Sequence, residues 1–164
     1  MNKIKSYIEN HFSCKRLVHI LSVANTALFL NKLFNLNINE KNIIIAGLSH
    51  DMSKWMNIEI MKNYISEKKI ILDEYEMKHP QLWHPGVSEH ILKNEFMIED
   101  REVLDAVRFH TIGYPDMDFL SKVLYCADYI EPTRKFYSHV DFNVLNNLDK
   151  LLEFVVKNKL KHIG

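Results

Sequence analysis

The chain is short of the residues that staple or interrupt a polypeptide: its 164 residues include two cysteines, four glycines and four prolines. Cys14 and Cys126 are too few and too far apart for a zinc-type cluster, and free thiols without a secretory signature fit a reducing cytoplasm. The N-terminus, MNKIKSYIEN, lacks the apolar core of a signal peptide. No long hydrophobic run exists either. The strongest, Ile43 to Leu48, falls far below the roughly twenty residues a membrane span needs. An excess of one charge is also missing, since 21 Lys and Arg offset 21 Asp and Glu. No global field therefore draws the chain to nucleic acid or to an acidic membrane surface, and any attraction for phosphate must be local. The expectation is a cytoplasmic protein with no nucleic-acid and no membrane partner.

What is present is helix. The length and 47% hydrophobic content predict one domain over residues 1–164, able to bury roughly two-thirds of its unfolded surface. There is no repeat, low-complexity stretch or flexible linker, and the prolines, all between residues 80 and 132, punctuate helices. From Lys15 to Phe34, the positions Leu17, Ile20, Leu21, Ala24, Ala27, Leu28 and Phe34 follow amphipathic helical spacing. Residues 35–38 read as a turn. Asn39 is the N-cap expected for a second helix that carries Ile43, Ile44, Ala46, Gly47 and Leu48 into His50-Asp51. Weaker helical patterns cover about 57–68, 86–95 and 100–110. Leu120, Val123, Leu124 and Ala127 lead to Asp128 on a helix stopped by Pro132, and Val144 to Val156 make a final amphipathic helix. Strand-like alternation is nearly absent, so the fold class is all-α, a compact helical bundle.

Four residues in this framework suggest a metal site: His19, the pair His50-Asp51, and Asp128. Imidazole and carboxylate together hold divalent ions of hard to borderline character. If the first two long helices form an antiparallel hairpin about residues 36 and 37, His19 lies about 26 Å along one arm and His50 about 20 Å along the other, at 1.5 Å per residue. Both imidazoles then sit near one end, and Ala46-Gly47 allows a close approach just before them. On a continuing helix His50 and Asp51 would diverge by about 100°, so a shared ion would lie on that helix's flank. Asp128 follows the apolar run Val123 to Ala127, where a buried carboxylate needs a cation partner.

Each residue alone has a plainer reading. His-Asp is a common dipeptide, His19 could be a satisfied core histidine, and Asp128 could accept a hydrogen bond from Tyr125 or Tyr129. His84, directly before Pro85, would sit by a helix N-terminus, as a phosphate contact or as a capping or surface residue. His110 could bind phosphate, donate a proton or ligate a second metal. Arg16, Lys54 and Arg134 could face an anionic substrate, although Lys54 could simply pair with Asp51 across a helical turn. His11, His79, His90, His139 and His162 lack such context and are expected in solvent.

Taken in order, His19 with Arg16 before it, HDMSK from His50 to Lys54, WHPG around His84, RFHTIG around His110, and YCADYIEPTR from Tyr125 to Arg134 resemble the HD-domain phosphohydrolase superfamily. More closely they resemble its YqeK-type branch of symmetrical bis(5'-nucleosyl)-tetraphosphatases. The resemblance spans roughly residues 14 to 140 and implies a compact bundle of HD-domain type. It implies His19, His50, Asp51 and Asp128 as ligands of one or two divalent ions, iron first, with manganese, cobalt or magnesium as alternatives. It further implies that Arg16, His19, Asp51, His84, His110, Thr111, Asp128 and Arg134 line the substrate, with Asp51, Lys54, His84 and His110 in catalysis. The family commonly continues past its last long helix with a segment that helps enclose the nucleotide, whereas this sequence ends at Gly164, which leaves base preference open.

The reaction so implied is the symmetrical cleavage of diadenosine tetraphosphate to two ADP by a metal-activated water. The cation screens the anionic oxygens that otherwise repel a nucleophile. Lys54, Arg16, Arg134 and a histidine would neutralise developing charge, with a protonated histidine assisting the departing ADP. The residues leave open an HD-type nucleotidase, another phosphomonoesterase or phosphodiesterase, a non-catalytic metal-dependent nucleotide sensor, and assembly as a homodimer. The partner implied is a dinucleoside polyphosphate or another nucleotide.

Overall fold

A short polar side chain starts almost every helix of this chain. A computed structural model describes residues 1–135 and 137–163, the last two by backbone alone, so the expectation for His162 lies outside the described residues. Among those residues nine α-helices form, and no strand: α1 Asn2–His11, α2 Cys14–Leu33, α3 Glu40–Ser49, α4 Ile58–Lys68, α5 Glu74–Lys78, α6 Trp83–Asn94, α7 Arg101–Phe109, α8 Phe119–Ile130 and α9 Leu148–Ile163. Side chains of Asn39, Asn57, Asp73, Asp100 and Asp118 accept backbone N–H bonds from the first turns of α3, α4, α5, α7 and α8. Asn147 does the same for Lys150 at the start of α9. Each cap satisfies a donor that the helix itself leaves orphaned. The class is all-α, as the periodicity predicts.

The α2–α3 hairpin forms as expected. Asn35 and Asn37 adopt positive φ (52° and 57°), and the Asn31 side chain clamps Ile38 by both its N–H and its carbonyl, at 3.0 and 3.2 Å. The buried stripe of α2 runs through Ile20, Val23, Ala24, Ala27 and Leu30, while Leu21, placed in the core by spacing alone, is 45% exposed. Helix α2 packs on α3 and α8, α7 on α6 and α8, and α9 on α8. One cluster of buried apolar side chains runs through these contacts. No helix among the described residues is long and apolar enough to cross a membrane.

Several boundaries depart from the periodicity. Helix α3 ends at Ser49, so His50 is its C-cap and Asp51 lies in the turn beyond, not on a continuing helix. Helix α6 begins at Trp83, two residues before Pro85, after a 3₁₀ turn at Pro80–Leu82. Its third residue tolerates proline because first-turn N–H groups need no helical acceptor. Helix α9 begins at Leu148. Val144 precedes it and is exposed, its N–H bonded to Asp141. Two helices have no counterpart in the reading above. Helix α1 buries only Ile4 and Ile8, and α5 is a five-residue turn held by a capping box of Asp73 and Glu76.

Gly47 sets the distance between α2 and α3. A Cβ there would stand 2.7 Å from the Ala24 Cα and 2.8 Å from its Cβ. Backbone cannot yield as a flexible side-chain tip can, so overpacking wins over the better helix propensity of alanine. Gly47→Ala is expected to lower stability by about 2 kcal/mol, read by denaturant unfolding. An unchanged midpoint would show that the two helices are not locked at this point.

Candidate metal centre

Five segments end, begin or pass at one end of the bundle, and each delivers a ligand-type side chain. His19 comes from the first turns of α2, His50 and Asp51 from the end of α3, His84 from the start of α6, His110 from the C-cap of α7, and Asp128 from α8. His50, Asp51 and His110 are almost fully buried, and His19 and His84 nearly so. The structure thus brings together all six residues singled out from the sequence. His84 is buried, which excludes the capping or surface role considered for it.

The imidazoles share one orientation. Nδ1 of His50 donates to the Gly47 carbonyl at 2.7 Å, that of His84 to Gln81 at 3.1 Å and that of His110 to Val107 at 2.8 Å. Nδ1 of His19 donates to the Glu131 carboxylate at 3.0 Å. A carbonyl or carboxylate can only accept, so Nδ1 carries the proton and Nε2 points inward. There the His84 and His110 Nε2 atoms lie 3.2 Å apart, and those of His19 and His50 3.4 Å. Lone pairs facing each other at such distances need a shared proton or cation between them.

The carboxylates complete two groups. Asp128 Oδ1 lies 3.3 Å from His19 Nε2 and 3.8 Å from His50 Nε2. Asp51 Oδ2 lies 3.7 Å from His19 and 3.5 Å from His50, while Asp51 Oδ1 lies 3.5 Å from His84 and 3.6 Å from His110. Two ligands each about 2.1 Å from one ion stand roughly 3.0–3.5 Å apart, so these separations suit a divalent cation. Asp51 Oδ1 is buried without a hydrogen-bond partner, an orphaned acceptor of the kind a cation satisfies. The donor set therefore fits a metal, with Asp51 spanning both groups.

Protonation agrees with that fit. Burial lowers the His50 ring to about 4, and burial with His110 and Lys54 nearby holds His84 well below its usual value. Burial works against the charged forms of Asp51 and Asp128, yet the surrounding imidazoles outweigh it and hold both well below the carboxylate range. Neutral imidazoles and ionised carboxylates are the ligating forms. His19 is the exception: burial opposes its charge, but Asp128 and Glu131 raise its pKa.

Cations stand at the rim. Arg16 Nη1 donates to Asp51 Oδ2 at 3.0 Å, Arg134 Nη2 to Asp128 Oδ1 at 3.0 Å, and Lys54 Nζ lies 3.5 Å from Asp51 Oδ1. The Lys54 contact spans the turn after α3 rather than a helical turn. Thr111 Oγ1 lies 3.4 Å from His84 Nε2. A cleft of about 660 Å³, lined by Lys15, Arg16, Val18, His19, Thr133 and Arg134 among others, opens onto this rim. Of the remaining histidines, His11 and His139 are exposed as expected, whereas His79 and His90 are half-buried against Tyr75 and Tyr64.

Two supporting elements were not singled out from the sequence. Glu131 is fully buried, and besides His19 it accepts from the Thr133 N–H at 2.7 Å and from the Thr133 hydroxyl. It lies within the motif YCADYIEPTR, and its place three residues after Asp128 was the signal available. The second is the bidentate pair of buried Glu76 with Arg108, one arm at 2.6 Å. Trp83 Nε1 donates to the Glu76 carbonyl at 2.8 Å, which ties the start of α6, and with it His84, to α7. Ser53 similarly joins the turn after Asp51 to α6, donating to the His84 carbonyl at 2.9 Å.

Comparisons with known proteins place the chain in one family. The family model described as HD domain matches residues 16–133. The chain is 38% identical over 136 residues to the bis(5'-nucleosyl)-tetraphosphatase, symmetrical, of Bacillus subtilis, covering 81% of this chain and 68% of that protein. It is 33% identical over 138 residues to the protein of the same name from Halalkalibacterium halodurans, covering 83% and 72%. A crystal structure of a predicted HD superfamily hydrolase involved in NAD metabolism, from Clostridium acetobutylicum, superposes with a TM-score of 0.86 at 31% identity, over 99% of this chain and 86% of that one.

Glu131→Gln tests the support under His19. The amide keeps the shape but places an N–H₂ or a weaker acceptor against His19 and Thr133. Metal affinity is expected to fall about 10–100-fold, measured by competition with a chelator, while the helical circular-dichroism signal stays unchanged. Wild-type affinity would remove Glu131 from the support of this centre.

Proposed function

The chain belongs to the HD-domain family, and we propose that it is a metal-dependent phosphohydrolase that cuts diadenosine tetraphosphate at its centre to give two ADP. The observation that carries the reading is the convergence of four inward-facing Nε2 atoms and two carboxylates beneath a rim of arginine and lysine. The relatives at 38% and 33% identity that are named for this substrate class support it.

His19, His50, Asp51 and Asp128 would hold the ion. His84 and His110 with Asp51 Oδ1 form a second group, where a second ion would find donors. The mixture of imidazole and carboxylate donors suits iron, with manganese or cobalt as substitutes. When bound, a divalent ion supplies Lewis acidity that neutralises phosphate charge and brings a water's pKa toward neutrality. The chain's residues do the rest. Arg16 and Arg134, half-exposed above the carboxylates, turn toward the polyphosphate and draw an anionic arm into the cleft. Lys54 stands where charge develops on the attacked phosphorus. Thr111 and the buried His84 and His110 confine the reacting group, and the departing ADP leaves as an anion whose charge the rim cations offset. The whole of residues 1–164 serves as a single HD-type domain, and the unpaired thiols of Cys14 and Cys126 suit a reducing cytoplasm.

Asp51→Ala is expected to lose bound metal and turnover together, because it deletes the one carboxylate within reach of both groups. Metal analysis joined to an assay of ADP release reads both, and full metal content with normal turnover would refute the ligand assignment. Arg134→Ala should keep its metal and raise KM for diadenosine tetraphosphate about tenfold or more, the loss of a charge-assisted contact. An unchanged KM would take Arg134 out of the substrate site. Chromatography of wild-type products from a panel of dinucleotides and mononucleotides tests the reaction itself: two equal ADP support it, and inorganic phosphate or unequal nucleotides do not.

A further inference from the structure

The last helix carries a lysine that turns away from solvent. Lys159, on α9, turns inward onto α8, its ammonium 3.5 Å from the Tyr125 ring centroid and 6.0 Å from that of Tyr129. It donates a hydrogen bond to the Thr111 carbonyl, at 3.3 Å. No carboxylate pairs with it among the described residues. Its neighbour Lys157 behaves in the ordinary way, pairing with Glu153 at the surface. A π face and one carbonyl are weak compensation for a desolvated ammonium, and burial, helped by the charge of Arg134, depresses its pKa to about 8 against the pull of Asp128.

The position relates this charge to the metal centre. Tyr125, Asp128 and Tyr129 share one face of α8, at spacings of three and four residues. Thr111, whose carbonyl holds the ammonium, places its hydroxyl 3.4 Å from His84 Nε2. Arg16 and Arg134 approach the centre from the side of His19, whereas Lys159 approaches from the side of Thr111 and His84. A tetraphosphate severed at its middle leaves two equal diphosphates, so anionic groups must run out of the centre on both sides.

We propose that Lys159 is a substrate-contact residue that binds a phosphate of the nucleoside diphosphate arm lying on the Thr111 side of the centre. The inference rests on the reaction proposed above and names the anchor of its second arm.

Lys159→Met keeps most of the stem and removes the charge. In metal-loaded protein, KM for diadenosine tetraphosphate is expected to rise about tenfold or more, with kcat at saturation and metal content unchanged and a weaker dependence of KM on ionic strength. A purely structural lysine would lower the melting temperature and leave KM and its salt dependence alone, which would overturn the proposal. The wild-type protein gives an answer that needs no folded variant. Saturating ADP should shield Lys159 from an amine-acylating reagent, read by peptide mass spectrometry, while exposed Lys3 reacts as before; equal acylation with and without ADP overturns the assignment. Shielding by ADP in a protein that releases none from the tetraphosphate would refute the reaction and leave the anion contact standing.

Discussion

Four imidazoles turned the same way are the constraint from which the rest of the structure follows. Each gives its Nδ1 proton to an acceptor and leaves an Nε2 lone pair facing the others in a space it shares with Asp51 and Asp128. Electron density of that kind, buried together, is unfavourable until a cation arrives. Leaving one carboxylate there uncompensated costs several kcal/mol (~3–5), comparable with much of a small domain's net stability. Arg16, Lys54 and Arg134 offset part of this from the rim, since each touches a carboxylate of the centre. The same side chains are then the ones that meet an anionic substrate.

The bundle is arranged so that helix ends, rather than helix sides, supply most of the donors. His50 and His110 cap α3 and α7, and each ring bonds a carbonyl three residues back in its own last turn. A single imidazole therefore satisfies an orphaned carbonyl and aims a ligand. Asp128 is the exception on α8, and its apolar neighbours leave it no acceptable environment except the centre. Close packing of Gly47 on Ala24 brings α2 against α3 near these ends. The buried pair of Glu76 and Arg108 holds the segment before α6 against α7. Fold and site are in this sense one set of contacts.

Legibility in the sequence followed the same physics. The α2–α3 hairpin, the Asn39 cap and the placement of His19 against His50 could be derived from spacing, because turn chemistry and periodicity there agree. Helix α1 could not, since two isoleucines among lysines and asparagines make too weak a stripe, and α5 is too short to show a period. Histidine at a helix end is also ambiguous. Exposed His11 and half-buried His79 bond carbonyls four residues back much as His50 and His110 bond theirs, so capping alone cannot separate ligand from non-ligand. Glu131 was hidden because the helix stop at Pro132 already accounted for its neighbourhood. Lys159 was hidden because an amphipathic pattern says which side chains face inward but not that a lysine bends under the helix to join them.

Asymmetry of the site is the remaining step. A dinucleoside tetraphosphate reads the same from either end, yet the centre offers two arginines on the His19 side and the half-buried Lys159 on the Thr111 side. Either half of such a substrate can lie on either side, because both present the same diphosphate, and a cut between the two sides gives identical products in both orientations. A mononucleotide can engage only one side and forfeits the second set of charges. Selection for the longer molecule would then come from two unlike anchors flanking one reactive point, with the distance between them, rather than any base contact, measuring the length of the phosphate chain.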